Sequence, residues 1–158
     1  MTRSRLFLDS SALFAGVASG TGPARALLLL AEAGIVEIVV SEQIVVETEH
    51  ALARALPHAL GPFREALRRT GLRIQRPPSP DAVRVRAAPV RRAGDVPILV
   101  ATIHAKVDYF VTLDRRHFID DPRIAMRAGL RIGTPGDALA WVRTQSASRQ
   151  PTPCASAS

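Results

Sequence analysis

Near its start the chain reads Arg5-Leu6-Phe7-Leu8-Asp9-Ser10-Ser11-Ala12-Leu13-Phe14. Residues 5–8 predict a short buried strand, and the two serines after Asp9 favour the start of a helix. Asp9 therefore ends a strand that belongs in a core. A carboxylate in such a place is costly unless it is paired or binds a cation.

Three further acids stand beside apolar segments. Asp114 follows Tyr109–Leu113, which predicts another buried strand, and Asp95 precedes an apolar run in a predicted helix. Glu47 directly follows three apolar residues of a second predicted helix. Clustered carboxylates repel one another, so a bound cation is the natural resolution if the four acids meet in space.

Strands alternate with helices at short spacing along the chain, which predicts an α/β fold with three layers, α/β/α, and a mostly parallel central sheet. One domain is expected over residues 1–143. Residues 144–158 are polar, small and proline-containing, and predict a flexible C-terminal tail. In such folds ligands bind outside the carboxyl ends of the strands, and all four acids are expected near that edge.

Several helix boundaries are predicted from local signals. A helix is expected to follow a turn at Gly61-Pro62 and to reach about Thr70. Further helices are predicted over residues 81–88, from a cap at Asp95 to about Lys106, and from Thr134 to Val142.

Each acid also has an ordinary structural interpretation. Asp9 and Asp95 are good helix caps, and Asp114 suits a turn. Glu47 lies at one margin of the apolar face of its helix and Glu49 lies near the other, so helical periodicity does not choose between them. What favours a functional site is the joint placement of the four acids at one edge of the sheet.

Composition restricts the metal. The chain has 158 residues and one cysteine, Cys154, so neither an internal disulfide nor a thiolate metal site is expected. Four histidines are present, but none forms a His-x-x-x-His pair. Oxygen ligands are left, and they suit Mg²⁺ or Mn²⁺.

The net charge is +7, carried almost wholly by arginine. Arginine binds phosphate in a bidentate manner and suits a polyanionic substrate, although high arginine usage also follows from genomic base composition. No apolar run approaches the roughly 18 residues of a membrane span. A cytoplasmic protein without membrane contact is expected.

Carboxylate-bound metal ions suit the hydrolysis of phosphodiesters, because they activate water and stabilise the leaving oxygen.

Secondary candidates for substrate binding follow from their position in the sequence. Thr112 precedes Asp114 by two residues and is expected on the same side of the strand. Arg115 and Arg116 follow Asp114 and are candidates for gripping phosphate, or for a solvated turn. His117 is expected to be structural.

The chain resembles the PIN-domain family, which includes the toxin ribonucleases of VapBC toxin–antitoxin modules. The resemblance covers roughly residues 4–142. It is carried by four segments: Leu6-Phe7-Leu8-Asp9-Ser10-Ser11-Ala12-Leu13-Phe14, Val40-Ser41-Glu42-Gln43-Ile44-Val45-Val46-Glu47, Gly94-Asp95-Val96-Pro97-Ile98-Leu99-Val100-Ala101 and Tyr109-Phe110-Val111-Thr112-Leu113-Asp114-Arg115-Arg116-His117-Phe118.

The resemblance implies an endoribonuclease that uses a metal-activated water. It implies Asp9 and Asp95 as direct magnesium ligands, with Asp114 completing the pocket directly or through water. Glu47, which it favours over Glu49, would hold the metal or position the attacking water. It further implies RNA as substrate, a toxin role with a cognate antitoxin, and a homodimer.

Two other functions remain open at this point. One is a non-catalytic RNA-binding or assembly module that keeps the fold without turnover. The other is a phosphatase of a related fold, since an aspartate that ends the first strand suits a nucleophile. Such phosphatases usually carry a second acid two residues later, where this chain has Ser11.

Overall fold

Five parallel strands form the centre of the molecule. The structure is a computed structural model that describes residues 2–77, 79–81 and 96–149. The strands are β1 (Ser4–Leu8), β2 (Val36–Ser41), β3 (Arg73–Gln75), β4 (Tyr109–Val111) and β5 (Arg131–Gly133), in the spatial order β3-β2-β1-β4-β5. The predicted three-layer α/β/α fold with a parallel central sheet is confirmed.

Helices connect the strands and cover the sheet. They are α1 (Ser10–Ala18), α2 (Pro23–Glu32), α3 (Glu42–Ala55), α4 (Leu60–Arg69), α5 (Val96–His104), α6 (Pro122–Ala128) and α7 (Pro135–Ser148). A 3₁₀ turn at Pro57–Ala59 precedes α4, and a π-helical turn at Arg115–Ile119 follows β4. Helix α1 packs on both α2 and α3, and α2 packs on α7.

The chain order places a topological switch between β1 and β4. From β1 the chain moves outward to β2 and β3, and it then returns to the other side of β1 to form β4 and β5. Leu6 and Phe7 pair with both neighbouring strands, and Leu8 pairs with Val111 of β4. In open α/β sheets a ligand crevice forms outside the carboxyl ends of the strands at such a switch.

β1 does not alternate apolar and polar side chains toward its end, and its position in the core explains why. Leu6, Phe7 and Leu8 are fully buried, as expected for a central strand covered on both faces. Phe110 of β4 meets Phe7 edge-on with ring centroids 5.8 Å apart, and it meets Phe118 of the π-helical turn at 5.0 Å. These aromatic contacts tie the end of β4 to the turn that carries Asp114.

Two predicted boundaries are wrong. Gly61 and Pro62 do not form a turn before the helix but lie inside the first turn of α4, where proline costs no intrahelical hydrogen bond. Helix α7 does not end at Val142 but reaches Ser148, so the predicted tail is helical over Thr144–Ser148.

Hydroxyl groups explain the length of α7. Thr144 donates to the Trp141 carbonyl at 2.7 Å, and Ser146 donates to the Val142 carbonyl at 3.1 Å. These bonds satisfy the hydroxyls inside the helix, so small polar residues are found in a helix where composition alone predicts a tail. Residues 150–158 lie outside the described residues, as do residues 82–88 of the predicted helix 81–88.

Helices α1 and α2 meet at a sharp angle. In the described parts of the chain, no single helix is long and apolar enough to cross a membrane. These two helices reach the required length and composition only as a pair, and they are bent by 87° at the break between them.

Replacing Phe110 with alanine tests the aromatic contacts at the core. The Phe110→Ala change should lower the free energy of unfolding by about 3–5 kcal/mol, because it removes a fully buried ring and leaves a cavity. Urea unfolding at neutral pH measures the loss. Met126→Ala is the matched control, since Met126 is 79% exposed and its truncation should change stability by less than about 0.5 kcal/mol. Equal losses in the two variants would contradict the prediction.

Candidate active site

Asp9 lies at the carboxyl end of β1 and begins α1. Its backbone N–H donates to the Val111 carbonyl of β4 at 3.1 Å, which continues the sheet pairing past the last strand residue. Its side chain is only 5% exposed. One carboxylate oxygen accepts from the Ser11 hydroxyl at 2.6 Å and from the Ala12 N–H at 3.1 Å. The other accepts from the Thr112 hydroxyl. Asp9 is therefore both the expected helix cap and a buried acid at the switch point.

Burial dominates the electrostatics of Asp9. Desolvation raises the pKa of its carboxyl above the ordinary value of 3.8. Hydrogen bonds from Ser11, Thr112 and Ala12 oppose that rise in the pKa, and the nearby negative charge of Asp114 adds to it. The carboxylate form is thus held in place by three donors, and no residue that the structure describes gives it a compensating positive charge, which is the electrostatic setting that favours cation binding.

Asp114 follows β4 and caps the π-helical turn. Its carboxylate accepts from the His117 N–H at 3.2 Å, and the His117 ring Nδ1 lies 2.8 Å and 2.7 Å from its two oxygens. His117 fixes the orientation of this acid, which is consistent with the structural role expected for it. Asp114 is partly exposed, so its carboxylate lies nearer to solvent than that of Asp9.

Thr112 links the two acids. It is 0% exposed, and its hydroxyl donates to Asp9 while accepting from the Asp114 N–H at 2.9 Å. Its own N–H donates to the Gly133 carbonyl of β5 at 2.9 Å. The substrate contact predicted for Thr112 does not fit this geometry, because its hydroxyl is buried and already engaged on both sides. Thr112 instead orients Asp9 and Asp114.

The two glutamates of α3 have different partners. Glu49 forms an ion pair with Arg64 of α4 at 2.7 Å. Glu47 accepts only a neutral hydrogen bond, from the Gln43 side chain at 2.8 Å. The choice that periodicity left open therefore favours Glu47, whose negative charge has no ion-pair partner in the described parts of the chain. No hydrogen bond joins Glu47 to Asp9 or Asp114 among those residues.

Arg115 and Arg116 lie on the exposed side of the π-helical turn. The Arg115 Nε is 3.7 Å from a carboxylate oxygen of Asp120, a loose pair at a solvent-exposed position. The charge of Arg115 also contributes to lowering the pKa of Asp137, after the hydrogen bonds that Asp137 accepts from Thr134. Both arginines are exposed at the edge that carries Asp114.

Asp95 lies outside the described residues, so the structure describes three of the four predicted acids. It brings Asp9 and Asp114 together through Thr112. Within residues 2–77, 79–81 and 96–149, no group of three or more Asp, Glu, His or Cys side chains is arranged to hold a metal ion. The donors at the switch point are carboxylate oxygens, and the described residues place no counter-charge beside the buried Asp9, so the chemistry of these donors fits Mg²⁺ or Mn²⁺.

Ser11 makes a contact at this edge that the sequence did not reveal. Its hydroxyl donates to Asp9 and accepts from the Leu113 N–H at 3.0 Å, so it joins the start of α1 to the end of β4. Capping was the expected role for Ser10 and Ser11. The contact with Leu113 spans more than 100 residues of sequence, so no local sequence pattern predicts it.

The raised pKa of Asp9 predicts how stability varies with pH. A carboxyl that holds its proton more tightly when folded stabilises the protein below its unfolded pKa and loses that contribution as pH rises through the folded value. In metal-free buffer, wild type should therefore lose stability relative to Asp9→Asn as pH rises above about 3.8. The asparagine keeps the cap without the charge. Urea unfolding across pH 3–8 with a chelator measures the difference, and a gap that moves in favour of wild type would contradict it.

Thr112→Val tests the link between the acids. Valine keeps the shape of the side chain but removes the hydroxyl, leaving the Asp114 N–H and one Asp9 oxygen without their partner. The free energy of unfolding should fall by about 1–3 kcal/mol. Thr112→Ser keeps the hydroxyl and should recover most of the loss, apart from the small cost of a deleted methyl group. Equal stability of the valine and serine variants would rule out the orienting role.

Comparisons with known proteins agree with this geometry. A family model described as PIN domain matches residues 5–116, which is more than half of the chain. Among solved structures, PAE2754 from Pyrobaculum aerophilum superposes with a TM-score of 0.62 at 16% identity, covering 90% of this chain and 91% of the other. No curated protein sequence matches significantly. The chain therefore belongs to the PIN-domain family, whose fold is of the nuclease type.

Proposed function

We propose that this protein is a metal-dependent endoribonuclease that cleaves RNA phosphodiesters with an activated water. The observation that carries the proposal is the buried Asp9 carboxylate, held by three donors and facing Asp114 across Thr112 at the switch point of a PIN-domain sheet. A purely structural cap has no need of burial beside a second acid.

The ion proposed for this site is Mg²⁺ or Mn²⁺, held by Asp9, Asp95 and Asp114. When bound, a divalent ion supplies Lewis acidity that makes water a better nucleophile and stabilises negative charge on the phosphate. Asp9 supplies a desolvated oxygen, and Thr112 and Ser11 keep that oxygen in one orientation. His117 does the same for Asp114.

Glu47 is proposed to position the attacking water and take its proton. Its carboxylate is partly buried and is not neutralised by an arginine, in contrast to Glu49. Arg115 and Arg116 are proposed to bind phosphate oxygens of the substrate, because both are exposed next to Asp114 and arginine suits bidentate phosphate contacts. The excess of positive charge supports a polyanionic substrate.

The biological role is proposed from family resemblance. The resemblance to VapC-like ribonucleases supports a toxin of a type II toxin–antitoxin pair, acting in the cytoplasm. A cognate antitoxin and a homodimer are the partners that follow from the same resemblance.

The alternative is a PIN-fold module that binds RNA without cleaving it. A positively charged PIN-fold protein with a net charge of +7 is suited to holding RNA whether or not it cleaves it. The two functions differ in turnover and in their response to divalent ions, so both can be measured on the same protein.

Cleavage of mixed RNA tests the proposal. Purified protein with Mn²⁺ or Mg²⁺ should cleave RNA, and chelation should abolish cleavage. Asp9→Asn, Asp95→Asn and Asp114→Asn should each lower the rate by at least about 100-fold, because losing several kcal/mol of transition-state stabilisation costs two or more decades. Cleavage that survives all three substitutions would indicate a contaminating nuclease.

The glutamates supply a matched control for the same assay. Glu47→Gln should lower the cleavage rate strongly, whereas Glu49→Gln, on the same helix and paired with Arg64, should leave it nearly unchanged. Thermal unfolding provides the second readout, because Mn²⁺ should raise the Tm of wild type and not that of Asp9→Asn. RNA binding without cleavage and without a Tm response to metal would establish the non-catalytic module instead.

A further inference from the structure

A cavity of about 540 Å³ opens beside the candidate active site, between α1 and the carboxyl-terminal half of α3. Its walls include Ser11 and Phe14 of α1, Arg54 of α3, and Leu113 after β4. The volume falls within the range of about 300–1,000 Å³ that is usual for ligand pockets. We call this cavity the α1–α3 groove.

The α1–α3 groove adjoins the acids through Ser11 and Leu113. Both residues line the groove, and the Ser11 hydroxyl contacts Asp9 and the Leu113 N–H. The groove is therefore one hydrogen bond away from the Asp9 carboxylate, where the adjoining unit of a polymer bound at the acids can reach it.

Arg54 gives the groove an uncompensated positive charge. Most arginines of the neighbouring elements lie in ion pairs: Arg64 pairs with Glu49, Arg68 and Arg69 share Glu65, and Arg73 pairs with Glu37. Arg54 is exposed and has no ion-pair partner in the described ranges. An unpaired guanidinium beside an acidic centre suits the phosphate of a bound polyanion.

Apart from Ser10 and Ser11, the rest of the groove is apolar. Phe14 is half-buried, Leu113 is 47% exposed, and Ala15, Ala51 and Ala55 complete the walls. Large exposed apolar side chains at a site edge indicate a binding surface. One phosphate-binding cation in an otherwise apolar groove matches the chemistry of a nucleotide, which has one anionic group and a flat base.

We propose that the α1–α3 groove binds the nucleotide next to the scissile phosphate of single-stranded RNA. Arg54 binds the phosphate of that nucleotide, and its base packs against Phe14 and Leu113. The RNA is single-stranded because only an unpaired base can leave its stack and lie on a side chain. This inference rests on the proposed function, since it extends the same substrate path.

Binding of a fluorescein-labelled, twelve-nucleotide single-stranded RNA tests the inference. Fluorescence anisotropy is measured on the Asp9→Asn protein, which blocks cleavage and keeps the Ser11 hydrogen bond. Adding Arg54→Ala should weaken binding by about tenfold and reduce the slope of log K against log salt by about 0.7, the value for one lost phosphate contact on a single strand. Arg54→Lys should keep most of the slope and lose part of the affinity, because lysine retains the positive charge but lacks the planar guanidinium that binds phosphate in a bidentate manner.

Arg127→Ala is the matched control. Arg127 also lies in the last turn of a helix, is exposed, and has no ion-pair partner among the described residues, but it does not line the groove. Its removal changes the net charge by the same amount and should leave affinity and salt slope nearly unchanged. Leu113→Ala tests the base contact, and it should weaken binding with no change in slope.

Equal effects of Arg54→Ala and Arg127→Ala would overturn the inference, since they would reduce the role of Arg54 to general charge. So would unchanged RNA binding in both Arg54→Ala and Leu113→Ala, the result expected if a protein segment occupies the groove. The proposed function fails separately, by absence of metal-dependent cleavage in wild type. If wild type cleaves RNA and the groove variants bind normally, only the groove assignment is wrong.

Discussion

The arrangement of residues at the carboxyl ends of β1 and β4 depends on the buried carboxylate of Asp9. It ends the central strand, caps α1 and accepts hydrogen bonds from Ser11, Ala12 and Thr112. Those bonds offset part of the desolvation cost, yet the pKa of Asp9 remains raised. Such a cost at a ligand-binding edge is expected when the charge has a function.

Two hydroxyl groups fix the position of the Asp9 carboxylate relative to the end of β4. Thr112 joins Asp9 to Asp114, and Ser11 joins Asp9 to the backbone of Leu113. Both links cross the switch between β1 and β4, the one place where the strand order reverses direction. Packing of Phe110 on Phe7 and Phe118 holds the same strand ends together from within the core. Apolar packing and polar links thus act on the same pair of strands.

The sequence predicted the parallel fold because its evidence is local: apolar runs of strand length, capping residues and their alternation. It also predicted which strands would end in acids. The sequence could not predict contacts between residues that are far apart along the chain. The role of Thr112, the second partner of Ser11 and the ion pair of Glu49 with Arg64 depend on neighbours more than ten residues away. The length of α7 was missed for a different reason, because serine and threonine were counted as tail residues although their hydroxyls bond within the helix.

Net charge illustrates the same difference between composition and structure. A value of +7 is compatible with nucleic-acid binding and with arginine-rich base composition alike. The structure separates the arginines by partner: those of α4 and β3 pair with glutamates, Arg115 lies 3.7 Å from Asp120, and Arg54 and Arg116 have no ion-pair partner among the described residues. An unpaired guanidinium binds a phosphate without first losing a carboxylate contact, although exposed ion pairs are weak and open at little cost. The location of the unpaired arginines, rather than the number of arginines, connects the charge of this protein to its proposed substrate.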